Sequence, residues 1–378
     1  MKKGIRIVYR FFHGHVVLTI ALLIALVTMV IVPPDLEYFS YIDFKTLCCL
    51  FATLLVVCAL KNIRFFTFIA RKIVHSTPNL RICILALLYI TFIGSLFIAN
   101  DMALITFLPL GFFVLADTGN EKYMPWVFVL QNISANLGGM LTPFGNPQNL
   151  YIYNKFEINT LEFMRIMVLP FLLAILMLSL SVLFFPKKKM EFTINEDADK
   201  IELTPRRTSI YLVLFVLSIL AVFDILPYYV TTIIIFVSIL ILDRKAAIKV
   251  DYPLLLTFLM FFIFAGNMSR IPEIRDFMSG LLEQNTLLVS ALCCQIISNV
   301  PSAVLLSQFT DNYTSLLLGV NIGGTGTIIA SLASLITLSE YSRCQPNGKK
   351  KYMLIFTLLN VIFLVALLAF SILVEKIL

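Results

Sequence analysis

Apolar runs long enough to cross a lipid bilayer recur from one end of this 378-residue chain to the other, and no polar stretch between them is long enough for a soluble domain. A hydrocarbon core of roughly 30 Å takes about 20 apolar residues in a helix. Within it a helix satisfies its own backbone polar groups, which lipid cannot do. Composition agrees, with 60% hydrophobic and 13% charged residues, against about 25% charged in soluble domains. The expectation is an all-α integral membrane protein. Its first apolar run, 16–32, follows the basic residues Lys2, Lys3, Arg6 and Arg10 and ends at Pro33-Pro34. It lacks a small-x-small cleavage site, so it reads as a retained signal anchor.

Crossings are expected at 16–32, 44–60, 124–153, 162–185, 208–224, 229–242, 252–268, 314–340 and 352–374. That makes nine, with the N-terminus cytoplasmic and the C-terminus outside a cell membrane. Of the 29 lysines and arginines, 23 then fall in cytoplasmic segments and 6 outside, the bias expected of cytoplasmic loops. The basic residues are therefore loop signals, Lys187, Lys188 and Lys189 among them, and no nucleic-acid surface is implied. Segments 82–116 and 286–309 each enter and leave on one side. Residues 286–297 reach about 18 Å and 102–116 about 22 Å, so both segments read as re-entrant hairpins, although 82–98 is long enough to cross.

The same order of elements occurs twice. A hairpin tip Ala99-Asn100-Asp101 recurs as Ser298-Asn299-Val300, and each is followed by a span carrying Asn-aliphatic-Gly-Gly. In the first half that motif is Asn136, Leu137, Gly138 and Gly139; in the second it is Asn321, Ile322, Gly323 and Gly324. Charge places the two hairpins on opposite sides, which makes the halves inverted repeats. Residues 1–185 form the first repeat, 186–228 a cytoplasmic loop and linker helix, and 229–378 the second repeat. The mixed-charge stretches 62–75 and 269–284, one before each hairpin, read as interfacial arm helices.

Proline removes a backbone donor and glycine gives no side-chain restraint, so the stretch from Asn136 through Thr142, Pro143 and Asn146 to Asn149 cannot stay helical. The counterpart runs from Asn321 through Thr325 and Thr327. Broken helices at bilayer depth survive only around protein or water. They offer half-helix N-termini to an anion and free carbonyls to a cation. The candidate substrate-binding residues are Asn100, Ser298 and Asn299 at the tips with Asn136, Gly138, Gly139, Thr142, Pro143, Asn146 and Asn149 in the first break. Asn321, Gly323, Gly324, Thr325 and Thr327 complete the set. Glycine pairs also serve close helix packing. Asp101, costly in lipid, would bind a coupling ion with Asn100, Ser298 and Asn299, or cap its helix. Na⁺ at the hairpin tips is the one metal ion considered. No cofactor is expected: His13, His15 and His75 lie in basic segments, and the seven cysteines show no CxxC spacing. A phosphate-binding Walker sequence is absent, as is any histidine within a span, which argues against an ATPase and an intramembrane protease.

These residues resemble the ion transporter superfamily, the group of citrate-transporter-like proteins, divalent anion–sodium symporters and arsenite permeases. The likeness is carried by Thr142-Pro143-Phe144-Gly145-Asn146-Pro147-Gln148-Asn149, by Ile297-Ser298-Asn299-Val300-Pro301 and by Gly319-Val320-Asn321-Ile322-Gly323-Gly324. The resemblance implies a secondary transporter, often a homodimer, whose transport domain moves elevator-fashion against a scaffold. Symporters of the group carry Ser-Asn-Thr at each tip, whereas here only the asparagine is kept in both. The Asn-Asp tip is more similar to the arsenite permease and sodium–proton antiporter branches. The expected function is cation- or proton-coupled transport of a small anion, with sodium–proton antiport through Asp101, an arsenite-type permease and a channel as rivals.

Overall fold

The computed structural model describes residues 15–190 and 203–377. The basic residues Lys2 to Arg10, His13 and the centre of the 186–228 loop lie outside them. Among the described residues the secondary structure is helical, with one isolated backbone bridge between Asn79 and Lys189. The all-α membrane architecture is thus present.

Helix α1 (Val16–Ile31) leads through the single turn α2 (Tyr38–Tyr41) to α3 (Phe44–Asn62). Asp43 starts α3 by accepting from Thr46 N at 2.9 Å, the bond an N-cap exists to make. A left-handed residue, Arg64 at φ 58, turns the chain into the amphipathic arm α4 (Phe65–His75). The first hairpin follows as α5 (Leu80–Phe97) and α6 (Asn100–Asp117). Each limb has 18 residues, about 27 Å of helix. That corrects the shorter limb expected from Met102: the tip asparagine starts α6 two residues earlier, and the helix runs through Pro109.

Next come α7 (Met124–Gly138), a 3₁₀ turn at Gly139–Leu141, an extended Thr142, and α8 (Pro147–Lys155). The span expected at 124–153 is therefore interrupted. Helix α9 (Thr160–Ser181) closes this half; α10 (Pro205–Val222), α11 (Tyr228–Leu242), the single turn α12 (Arg244–Ile248) and α13 (Tyr252–Ser269) open the other. Helix α14 (Pro272–Ile297) is two helices joined at Asn285, whose φ of −165° and ψ of 89° are not helical. Its Oδ1 accepts from Leu288 N at 2.9 Å, so a new helix begins there. The part before Asn285 is the second arm; the part after it pairs with α15 (Asn299–Leu306) as the second hairpin. Helices α16 (Tyr313–Gly323) and α17 (Leu332–Cys344), again interrupted between them, and α18 (Lys349–Ile377) complete the chain.

Eight helices among the described residues are long and apolar enough to cross a membrane. They include both limbs of the first hairpin and the bent α14, which the expectation of nine crossings leaves out. The 15- and 16-residue α11 and α1 and the two interrupted spans are not among them.

Packing is reciprocal between the halves. Helix α1 lies against α13, while α3 lies against α11; α5 packs on α7, as α14 packs on α16. The second limb of each hairpin crosses over, α6 onto α17 and α15 onto α8. The broken helices pack against both halves: in α8 every residue from Pro147 to Asn154 is buried, the polar Gln148, Asn149 and Asn154 included. Lipid meets instead the leucines and isoleucines of α1, α9, α11 and α18, many of them exposed.

Candidate functional site

The two hairpin tips are built alike. Asn100 Oδ1 accepts the backbone N–H of Asp101 at 2.9 Å, and Asn299 Oδ1 accepts that of Val300 at 2.9 Å. An asparagine satisfying the first free donor of the helix behind it accounts for its presence at both tips. Asp101 does not perform the capping considered for it: it lies inside the first turn of α6, whose N-cap is Ala99, and its own N–H is taken by Asn100. Ser298 sits at φ 76 and ψ 159, a conformation glycine adopts far more readily than serine.

Each break is stitched to its hairpin by the same bond. Thr142 Oγ1 donates to Leu96 O at 2.9 Å, and Thr327 Oγ1 donates to Gln295 O at 2.9 Å. Gln295 also donates from Nε2 to Gly323 O at 2.8 Å and Thr325 O at 3.1 Å, and accepts from Thr327 N at 2.8 Å. These are peptide groups freed by the end of α16 and by Gly326 at φ 120. In hydrocarbon they would otherwise go unpaired.

Asparagines join the two breaks. Asn136 Oδ1 accepts from Asn100 Nδ2 at 3.0 Å and from Ser331 Oγ at 2.8 Å. Asn321 mirrors it: Oδ1 accepts from Asn146 Nδ2 at 3.5 Å, and Nδ2 donates to Asn149 Oδ1 at 2.6 Å. Asn149 Nδ2 in turn donates to Gly139 O at 3.0 Å. Asn146 and Ser331 each stand ten residues after their motif asparagine, and each precedes the resumed helix. All six side chains are buried.

Above this network lies a cavity of about 510 Å³, within the range typical of small-molecule sites. One wall is a helical stripe of α1, Val17, Ile20 and Ile24, beside a stripe of α13, Leu254, Thr257, Phe261 and Phe264. The opposite wall is made of four helix beginnings: Asn100 and Asp101 of α6, Pro147 and Gln148 of α8, Asn299 and Val300 of α15, Ser331 and Leu332 of α17. Among the described residues no lysine, arginine or histidine lines it, and Asp101 is the one acidic residue. The oxygens Asp101 Oδ1 and Gln148 Oε1 are buried without a hydrogen-bond partner. Helix N-termini carry partial positive charge and free N–H groups, so the polar wall suits an oxygen-rich solute, and the orphan oxygens suit a cation or a proton donor.

The residues expected to bind substrate or coupling ion thus divide. Asn100, Asp101, Ser298 and Asn299 border the cavity; Asn136, Asn146, Asn149 and Asn321 lie behind it and hold its wall. The glycines pack. A Cβ on Gly138 would fall on the carbonyl of Phe92, and one on Gly323 would come within 2.8 Å of Ala291 Cα. Thr142 and Thr327 are stitches, Pro143 is buried within the break, and Thr325 bonds to Ile322 O at 2.6 Å. Gln148 belongs to the segment 142–149 expected to line the site, whereas Gln295, Ser331 and Thr257 are not among the residues expected from sequence. The ten-residue spacing shared with Asn146 would have pointed to Ser331; nothing in the apolar run around Thr257 marks it.

The chain is similar in sequence to known transporters. The citrate transporter family (CitMHS) matches over residues 12–315. An uncharacterized transporter of Methanocaldococcus jannaschii is 33% identical over 337 residues, covering 89% of this chain and 91% of its own length. The inner membrane protein YbiR of Escherichia coli is 28% identical over 303 residues, 79% of this chain and 80% of its own length. A silicon efflux transporter of Oryza sativa subsp. japonica is 31% identical over 140 residues, 36% of this chain and 28% of its own length. With apolar helices throughout and a family match over most of its length, this multi-pass membrane protein belongs to the citrate transporter family, within the ion transporter superfamily.

Proposed function

We propose that the protein is a secondary active transporter that carries a small anion through the cavity, coupled to Na⁺ or H⁺, by elevator-type alternating access. One observation carries the reading: four helix beginnings, two from hairpin tips and two from breaks, line a single cavity to which both halves of the chain contribute. The reciprocal packing of the two halves supports inverted repeats, the arrangement that lets one site face either side. In this proposal α1, α3, α10, α11 and α13 are the scaffold, and the hairpins with the broken helices move. Asn100, Asn299 and the N–H groups around them hold the anion, while Asp101 and Gln148 take the coupling ion. The protein resides in a cell membrane as a homodimer with its N-terminus in the cytoplasm.

A second reading, sodium–proton antiport through Asp101, is favoured by the carboxylate oxygen that is buried without a hydrogen-bond partner among the described residues. Uptake into proteoliposomes separates the two. The panel is citrate, dicarboxylates, sulfate, phosphate, arsenite and silicic acid, the last because a relative is a silicon efflux transporter. Each solute is tested with and without a Na⁺ or pH gradient. Asn100→Ala and Asn299→Ala are expected to abolish uptake while the protein stays folded. Unchanged transport in both would remove the site, and cation-driven pH change with no anion required would establish the antiporter.

A further inference from the structure

Away from the transport cavity, a groove of about 450 Å³ opens where α7 begins and α9 ends. Tyr123, Trp126 and Leu130 form one side, Ser181 and Phe184 another, and Leu359 with Ile362 of α18 the third. It shares no residue with the central cavity.

Lysines surround its mouth. Lys122 Nζ lies 5.1 Å from the Tyr123 ring centroid. Lys187, Lys188 and Lys189 begin two residues after Phe185, which also lines the groove. That segment is fixed in place: Arg81 Nε donates to Phe185 O at 2.7 Å, and Leu80 N donates to Lys188 O at 2.9 Å. Helix α18 starts with Lys349, Lys350 and Lys351. All seven lysines are exposed, with Glu121 beside Lys122 as the acid on the same rim. None of the seven forms an ion pair with a described residue.

We propose that this groove docks one anionic phospholipid, its acyl chain against Trp126, Leu130, Leu359 and Ile362 and its headgroup among the lysines. Tyrosine and tryptophan are the side chains that sit at headgroup depth. On α18 the distance from Lys349 down to Leu359 is about 15 Å, the reach from a headgroup into the acyl layer. An apolar groove alone would accept any lipid. Clustered lysines beside a membrane helix supply the selection for negative charge.

The protein carries its own reporter, because Trp126 is its single tryptophan. Full-length protein is reconstituted in phosphatidylcholine vesicles containing equal mole fractions of either brominated phosphatidylglycerol or brominated phosphatidylcholine, and Trp126 fluorescence is read. The anionic lipid is expected to be enriched at Trp126 by about fivefold or more, the weight of one lysine near a charged headgroup. The enrichment should fall in the exposed-loop variant Lys187→Gln/Lys188→Gln/Lys189→Gln, which removes three of the seven lysines. It should also fall in the wild type at roughly 1 M salt, where the screening length is about 3 Å. Equal quenching of the wild type by the two lipids overturns the proposal, as does a preference that survives both charge removal and salt. Neither readout depends on transport.

Discussion

Asn136 is where the two halves meet through one oxygen, and that makes it measurable. Its Oδ1 accepts from Asn100 at the first hairpin tip and from Ser331 in the second break. Truncation to alanine strands two buried donors. Hydrogen bonds between membrane helices contribute about 0.6 kcal/mol on average and at most about 1.7, so Asn136→Ala is expected to cost about 1 to 3 kcal/mol. The single figure mixes both bonds with lost packing, and a double-mutant cycle with Ser331→Ala separates them. Ser331 Oγ also accepts from Ala333 N at 3.2 Å, but that capping loss occurs in both arms of the cycle and cancels. A coupling energy of about 0.6 to 1.7 kcal/mol should remain. The assay is reversible unfolding by denaturing detergent in mixed micelles, followed by circular dichroism. Coupling below about 0.3 kcal/mol, the ordinary additivity error, would show that the halves are not joined at this oxygen.

Gly138→Ala places a methyl on the Phe92 carbonyl; because backbone must yield, it should destabilise by about 1–3 kcal/mol or more in the same unfolding assay. Ser298→Gly relieves a positive φ of 76 worth about 1–3 kcal/mol and forfeits only long bonds at 3.3 and 3.4 Å, so it should raise the unfolding midpoint. Outside the membrane, the Arg270 guanidinium bonded to Asp35 holds that carboxyl below its usual 3.8. A depressed carboxylate stabilises the fold above its unfolded pKa and loses that contribution as pH falls through the folded one. The stability difference between wild type and Arg270→Gln should therefore be constant near neutral pH and shrink below about 4.

Much of the site was legible because its chemistry is punctuation. Pro143 and Pro147 after Asn136 interrupt the helix whatever the surroundings, Gly323, Gly324 and Gly326 weaken it after Asn321, and the repeat of the motif marked both breaks as one kind of object. Charge fixed less. Adding or removing a pair of crossings leaves every later loop on the same side, so the lysine count is blind to whether α5 and α6 dip or span. The apolar wall was invisible for a related reason: Ile20, Ile24 and Phe261 line the cavity from strongly apolar helices, and periodicity cannot say which apolar side meets lipid. Gly138 and Gly139 both adjoin Asn136, and sequence cannot distinguish the one that admits the Phe92 carbonyl, Gly138, from the one that makes room for Asn146, Gly139.

The two hairpin tips supply an internal control on Asp101. The same asparagine cap forms with Asp101 after Asn100 and with Val300 after Asn299, at equal distances of 2.9 Å. A valine therefore suffices to build the tip, and architecture does not call for the carboxylate. An acidic side chain at this depth costs about 2.5–3.5 kcal/mol on insertion scales, which a structural role at the tip does not offset. On the proposed function it is kept for the coupling ion. Asp101→Val should then leave the unfolding midpoint unchanged or raised, because the orphan oxygen disappears while Asn100 keeps its bonds. Dependence of uptake on the Na⁺ or pH gradient should vanish. Gradient-driven uptake at wild-type rate in that variant would place coupling elsewhere, with Gln148 Oε1 the remaining unpartnered oxygen on the cavity wall.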